Sequence, residues 1–141
     1  MKVLITGGGG GIGFAVATEF AQSGYEVVLA DLHAEMLNSK VAELTAKGHK
    51  ASAVVLDLNS QHSIEQTAAS VGTVDVLINN AGIQHVAPVD EFPVDKWNAI
   101  IALNLSAAFH TIRTAFAPMK ASGYGRIINV ASAHALVASP F

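Results

Sequence analysis

Hydrophobic and polar positions alternate along this chain on two length scales. Short unbroken apolar runs rich in β-branched residues, beginning with Val3-Leu4-Ile5, predict strands near 2–6, 26–31, 52–57, 74–79 and 126–131. Between them lie longer stretches with helical spacing. The first, 12–23, ends at Gly24; the second, 34–47, carries Leu37, Val41 and Leu44 on one face and stops at Gly48. A third covers 61–70, with Ser60 placed to cap it. The segment 94–121 reads as one or two helices whose buried stripe is Trp97, Ile100, Ile101, Leu103, Leu105, Phe109, Ile112 and Phe116. Gly123 and Gly125 punctuate the turn into the last strand.

Strands separated by helices imply βαβ units with right-handed crossovers and a parallel sheet, and continuously apolar strands imply a sheet covered on both faces. The expected fold is α/β: a Rossmann-like doubly wound parallel sheet of about five strands in the order 3-2-1-4-5. That order is incomplete, because a sixth strand is wanting and strand five is left as an uncovered apolar edge. The expectation is a single dinucleotide-binding domain over 1–141, C-terminally truncated.

Composition narrows the partners. With 51% apolar and 13% charged residues, the 141-residue chain has enough core-forming side chains for one folded domain. Its net charge of −3, with Lys and Arg scattered, offers no basic stripe for nucleic acid and no polybasic patch for a membrane surface. No apolar run approaches the roughly 18 residues that span a bilayer, and the first strand follows directly on Met1. The absence of cysteine excludes disulfides, thiolate metal sites and a cysteine nucleophile. These features lead to the expectation of a soluble cytoplasmic protein.

The chemistry begins at Thr6-Gly7-Gly8-Gly9-Gly10-Gly11-Ile12-Gly13, a glycine turn between a strand and a helix start. Glycine has no Cβ to keep a diphosphate away, and the first N–H groups of a helix point at an anion. The five glycines satisfy both G-x-G-x-x-G (Gly8, Gly10, Gly13) and T-G-x-x-x-G-x-G (Thr6-Gly7, Gly11, Gly13). Asp31 follows 18 positions after Gly13, at the end of strand two. A carboxylate there accepts hydrogen bonds from a ribose diol and repels a 2′-phosphate, favouring NAD over NADP; it equally suits a cap for helix two. A phosphate-only P-loop needs Lys then Ser or Thr after its last glycine, and Phe14-Ala15 stand there instead. The six histidines show no paired ligand spacing, so no metal site is expected and most read as surface or packing residues.

Asp57-Leu58 after strand three, Asn79-Asn80-Ala81-Gly82 after strand four, Asn104, and Ser132 at the end of strand five complete a set that resembles the short-chain dehydrogenase/reductase family over the whole chain. The resemblance implies roles: Gly7, Gly11, Ile12 and Gly13 for the diphosphate of NAD, Asp31 for the adenosine ribose, Asp57 and Leu58 for adenine, and Asn80, Ala81 and Gly82 beside the cofactor. Without it, Asn79 and Asn80 could merely satisfy backbone groups in a turn. A mid-helix amide such as Asn104 needs partners, and in the family that position ties a water to a proton relay. Ser132 lacks the G-x-S-x-G elbow of a hydrolase, so hydrogen bonding to a substrate oxygen is its expected role. Within the family, Gly82-Ile83-Gln84-His85-Val86-Ala87-Pro88, Ile100–Ala107 and Ser132-Ala133-His134 resemble the bacterial D-3-hydroxybutyrate dehydrogenases. That implies hydride transfer between NAD and D-3-hydroxybutyrate, with Gln84, Ser132 and His134 contacting this small hydroxy acid.

The family's Tyr-x-x-x-Lys dyad does not occur: Leu29 stands four positions after Tyr25, and Ile128 four after Tyr124. By resemblance the dyad is expected just beyond Phe141, the chain alone is expected to be inactive, and a longer parent is expected to form tetramers through the helix at about 100–121. Alternatives within the family are a 3-oxoacyl or sugar reductase, and outside it a non-catalytic dinucleotide-binding module. A methyltransferase would share the glycine loop and the acidic strand end but has no use for N-N-A-G or Ser132.

Overall fold

Strand β1 (Lys2–Thr6) lies at the centre of a five-stranded sheet in a computed structural model that describes residues 1–133 together with Leu136 and Val137. The chain continues through α1 (Gly11–Gln22), β2 (Glu26–Asp31), α2 (Ala34–Ala46), β3 (Ala51–Val55), α3 (Gln61–Val71) and β4 (Val76–Asn79). It then enters α4 (Val94–Ile101), a π-helical turn over Ala102–Ser106, α5 (Ala107–Ser122) and β5 (Arg126–Asn129). All pairings are parallel and the order is β3-β2-β1-β4-β5, with Val3 in register with Val27 on one side and Val76 on the other. This is the expected doubly wound α/β arrangement.

Strand residues alternate between the two faces, which is why unbroken apolar runs were needed. Val3, Ile5, Val27, Leu29, Val76 and Ile78 pack with Ala17 and Ala21 of α1 and Leu37 and Leu44 of α2. Leu4, Val28, Ala30 and Leu77 face the other way, onto Leu56, Ile64, Val74 and Met119. Burying each Val, Leu, Ile or Met side chain among them contributes about 1.5–3 kcal/mol. The rule of full cover holds for β1, β2 and β4 but not at the borders: β3 is half exposed, and Ile128 and Val130 beside the outer edge are exposed.

Local signals end the helices as read. Ser60 Oγ accepts the Ser63 N–H at 3.2 Å and caps α3, and Gly24 and Gly48, both at φ +83°, take the left-handed turns beyond α1 and α2.

The long helical stretch corrects two expectations. Its inward residues are small or flexible, Ala107, Thr111 and Met119, because α5 packs closely on β4 and α3. Trp97, Ile101, Leu105, Phe109 and Phe116, expected in the buried stripe, are exposed, and Ile100, Leu103 and Ile112 are only partly buried. Helical periodicity marks a stripe without saying which stripe faces the sheet. Second, within the helical stretch Val94–Ser122 one 18-residue window reaches a mean hydropathy of 1.2, so by length and composition only it is apolar enough to cross a membrane, whereas no segment of that kind was expected. The interrupting polar residues hid it from a search for unbroken runs.

Candidate functional site

The chain runs outward from β1 to β3 and then returns to the far side of β1 to place β4, so the connections at the carboxyl ends of β1 and β4 diverge and leave a crevice. The glycine turn fills its floor. Gly7 sits at φ +65°, and a Cβ on Gly13 would run into the carbonyl oxygen of Gly7 and lie 2.8 Å from Asn80 Nδ2. Those two positions are glycine for the fold itself. Gly11 is different, since nothing lies within 4 Å of the place its Cβ would occupy. It opens α1, whose N-cap Gly10 supplies no side-chain acceptor, and the next residue, Ile12, is 68% exposed in the wall of the crevice. An uncapped helix start with unhindered backbone in front of it is a seat for a phosphate-bearing anion.

Asp31, leaving β2, reaches the same turn. Its Oδ2 accepts the Gly9 N–H at 3.4 Å, while Oδ1 accepts from Leu32 at 2.8 Å and His33 at 3.4 Å. It therefore steadies the chain just ahead of α2, whose N-cap His33 has no side-chain cap. The carboxylate sits at the mouth of the glycine turn.

Across the floor the turn is stitched to the end of β4. Thr6 Oγ1 accepts the N–H groups of Asn80 at 3.0 Å and Ala81 at 3.2 Å, and Asn80 Nδ2 donates to the carbonyls of Thr6 at 3.1 Å and Gly7 at 3.4 Å. Asn79 points to the other strand edge: its Nδ2 donates to Asn129 Oδ1 at 2.9 Å and its Oδ1 accepts from Thr111 Oγ1 at 2.7 Å. The N-N pair thus satisfies neighbouring groups, as the turn reading allowed, and in doing so ties three strands and α5 together.

Beyond this seam opens a cleft of about 990 Å³. Ile12, Leu58, Asn80, Ala81 and Gly82 line it together with Gln84, Asn104 and Ser132, so part of the set read for the cofactor shares one space with the substrate set, while Gly7, Gly11 and Gly13 do not line it. Asp31 and Asp57 do not line it. Asp57 Oδ1 accepts the Asn59 N–H at 2.9 Å, and its own N–H donates to Ser63 Oγ at 3.1 Å. His134 lies outside the described residues.

Asn104 sits within the π turn and finds its partners in the loop after β4: Oδ1 accepts the Ile83 N–H at 2.9 Å and Nδ2 donates to the Ile83 carbonyl at 2.8 Å. The wall also includes His85, Val86, Ile100, Leu103, Ala107 and Ala108, which sequence reasoning did not assign to a site. The loop position of His85 beside Gln84 was the available signal. The helical positions gave none.

The chain matches the short chain dehydrogenase family over residues 1–141, and it belongs to that family. It is 45% identical to a D-beta-hydroxybutyrate dehydrogenase of Rhizobium meliloti, over 98% of this chain and 56% of that protein. Among solved structures, NAD+-bound xylitol dehydrogenase superposes with a TM-score of 0.94 at 35% identity, over 99% of this chain and 55% of the other. A metagenomic short-chain oxidoreductase in complex with NADP gives 0.89 at 34%, over 94% and 62%. The chain spans about half the length of the curated relatives it matches, between 54% and 56% of the first of them.

Proposed function

We propose that this chain is the dinucleotide-holding part of an NAD-dependent oxidoreductase acting on a small 3-hydroxy acid, D-3-hydroxybutyrate or a close analogue. The observation that carries it is the open backbone at Gly11 at the uncapped start of α1, with the Asp31 carboxylate at the mouth of the same turn. Those amides hold the diphosphate, and Asp31 accepts from the adenosine ribose and disfavours a 2′-phosphate. A bound nicotinamide dinucleotide supplies the two-electron exchange at the substrate carbon. Gln84 and Ser132, in one cleft with Asn104, orient the acid and hold its reacting oxygen.

A proton must also be exchanged at that oxygen, and no Tyr-x-x-x-Lys occurs in these 141 residues. We therefore expect dinucleotide binding without turnover from this chain alone. The same observation favours a second reading, a module that holds the dinucleotide and does no chemistry. For the exposed stripe of Trp97, Ile101, Leu105, Phe109 and Phe116 we propose a second copy as the partner, apolar against apolar across a two-fold axis.

Calorimetric titration with NAD and NADP, followed by 3-hydroxybutyrate and an absorbance assay for NADH, tests this. NAD is expected to bind more tightly than NADP, with no NADH formed. A folded chain that ignores NAD defeats the proposal, and turnover at an ordinary enzymatic rate defeats its claim of inactivity.

A further inference from the structure

The wall of the cleft is short of charge. Its described residues include no Lys, Arg, Asp or Glu, and His85 is the one side chain among them that can carry a positive charge. The imidazole is also held in place. Its ring meets Phe92 edge-on, with centroids 5.3 Å apart and planes at 88°, and Phe92 in turn meets Trp97 of α4 at 6.5 Å and 84°. Such perpendicular contacts contribute about 0.5–1.5 kcal/mol each and fix ring orientation. On the chain side, Ile83 is pinned to Asn104 two residues earlier, so the backbone leading into Gln84 and His85 has a fixed origin.

From this we infer that His85 is a specificity-determining residue for the substrate's carboxylate, donating to it alongside Gln84 and selecting anionic over neutral substrates. The inference rests on the reading that the cleft takes a small hydroxy acid. An acid of that size presents one anionic group and one reacting oxygen, which Ser132 holds; the carboxylate then needs donors of its own, and Gln84 and His85, consecutive in the chain, line the same cleft. The acidic residues on the segment that carries the brace, Asp90, Glu91 and Asp95, are exposed, and none forms an ion pair with His85 among the described residues. Lys96 is likewise exposed and does not line the cleft.

The test loads the protein with NAD+ and titrates it with acetoacetate and with neutral methyl acetoacetate, comparing the unaltered chain with His85→Ala and Phe92→Leu; both oxidised, the pair cannot react. His85→Ala is expected to leave NAD+ affinity within twofold, weaken acetoacetate about tenfold or more, and leave the ester within twofold. Phe92→Leu is expected to weaken acetoacetate in the same direction by less. Normal NAD+ binding with no loss of acetoacetate, or with equal losses of acid and ester, overturns this inference and leaves the proposed function standing. Failure of the unaltered chain to bind NAD+ overturns both.

Discussion

Asn104 holds Ile83 by both ends of its amide, accepting from the backbone N–H at 2.9 Å and donating to the carbonyl at 2.8 Å. One side chain thereby replaces a strand neighbour for the first residues after β4. The π turn makes this reach possible, since the Ala107 N–H bonds back to the Ala102 carbonyl and the wider turn carries Asn104 toward the loop. Replacing Asn104 with Ala is expected to cost about 0.5–1.5 kcal/mol, because both groups it leaves are exposed and water takes its place. It is also expected to accelerate hydrogen exchange at the Ile83 amide. Unchanged exchange at that amide would show the contact to be incidental.

Asp31 makes a prediction about cofactor choice. Its carboxylate accepts from Gly9, and the proposed function assigns it to the adenosine ribose. Asp31→Ala is expected to weaken NAD and narrow the preference over NADP by about tenfold, through loss of an acceptor and of a repelling charge. Fluorescence titrations with both dinucleotides measure the ratio, and a ratio that does not move removes Asp31 from the selection.

Two glycines separate folding from binding. Gly13→Ala forces a Cβ against the Gly7 carbonyl and Asn80, so the expected loss of stability is about 2 kcal/mol or more. Gly11→Ala meets nothing and adds a better helix former, so stability is expected to stay level or rise by about 0.5–1 kcal/mol. Its NAD affinity is nevertheless expected to fall, because the methyl enters the space the proposed function gives to the diphosphate. Thermal unfolding read beside NAD titration checks both, and undiminished affinity in Gly11→Ala would argue against that seat.

Thr111 is buried and donates to Asn79 Oδ1 at 2.7 Å. Thr111→Val keeps the shape and removes the donor, stranding a buried amide oxygen at an expected cost of about 1–3 kcal/mol. Thr111→Ser is expected to recover most of it in urea unfolding. Equal losses from the two would assign the effect to the lost methyl instead.

Leu105 and Phe109 carry the prediction about assembly. Both are more than half exposed, at 64% and 62%. The double change Leu105→Glu with Phe109→Glu is expected to leave the monomer's unfolding temperature nearly unchanged while abolishing self-association in sedimentation. Identical sedimentation of altered and unaltered protein would place the contact elsewhere or nowhere.

The architecture was legible because alternating short apolar runs and helical stretches admit few arrangements, and because glycines, Ser60 and Asp31 punctuate them. The face of the long helix was not legible. Its large side chains have helical spacing, but close approach to β4 favours Ala107 and Thr111 on the inside, and size alone misled. The π turn and the pairing of Asn104 with Ile83 depend on a loop 21 residues away in sequence and leave no local trace. Asn80 was readable as a turn residue, yet its partners Thr6 and Gly7 come from the other end of the chain. His85 lines the cleft beside Gln84, a placement that the histidine spacing, read only for metal ligation, does not address.

The bonds from Thr6 to Asn80, from Asn79 to Asn129 and Thr111, and from Asn104 to Ile83 form a hem along the carboxyl edge of the sheet. A hem lets cloth be altered below it without unravelling above. The loop between Ile83 and α4 can diversify, lengthen or exchange chemistry while the glycine turn keeps its shape, so a change in what the cleft accepts need not disturb the turn beside it.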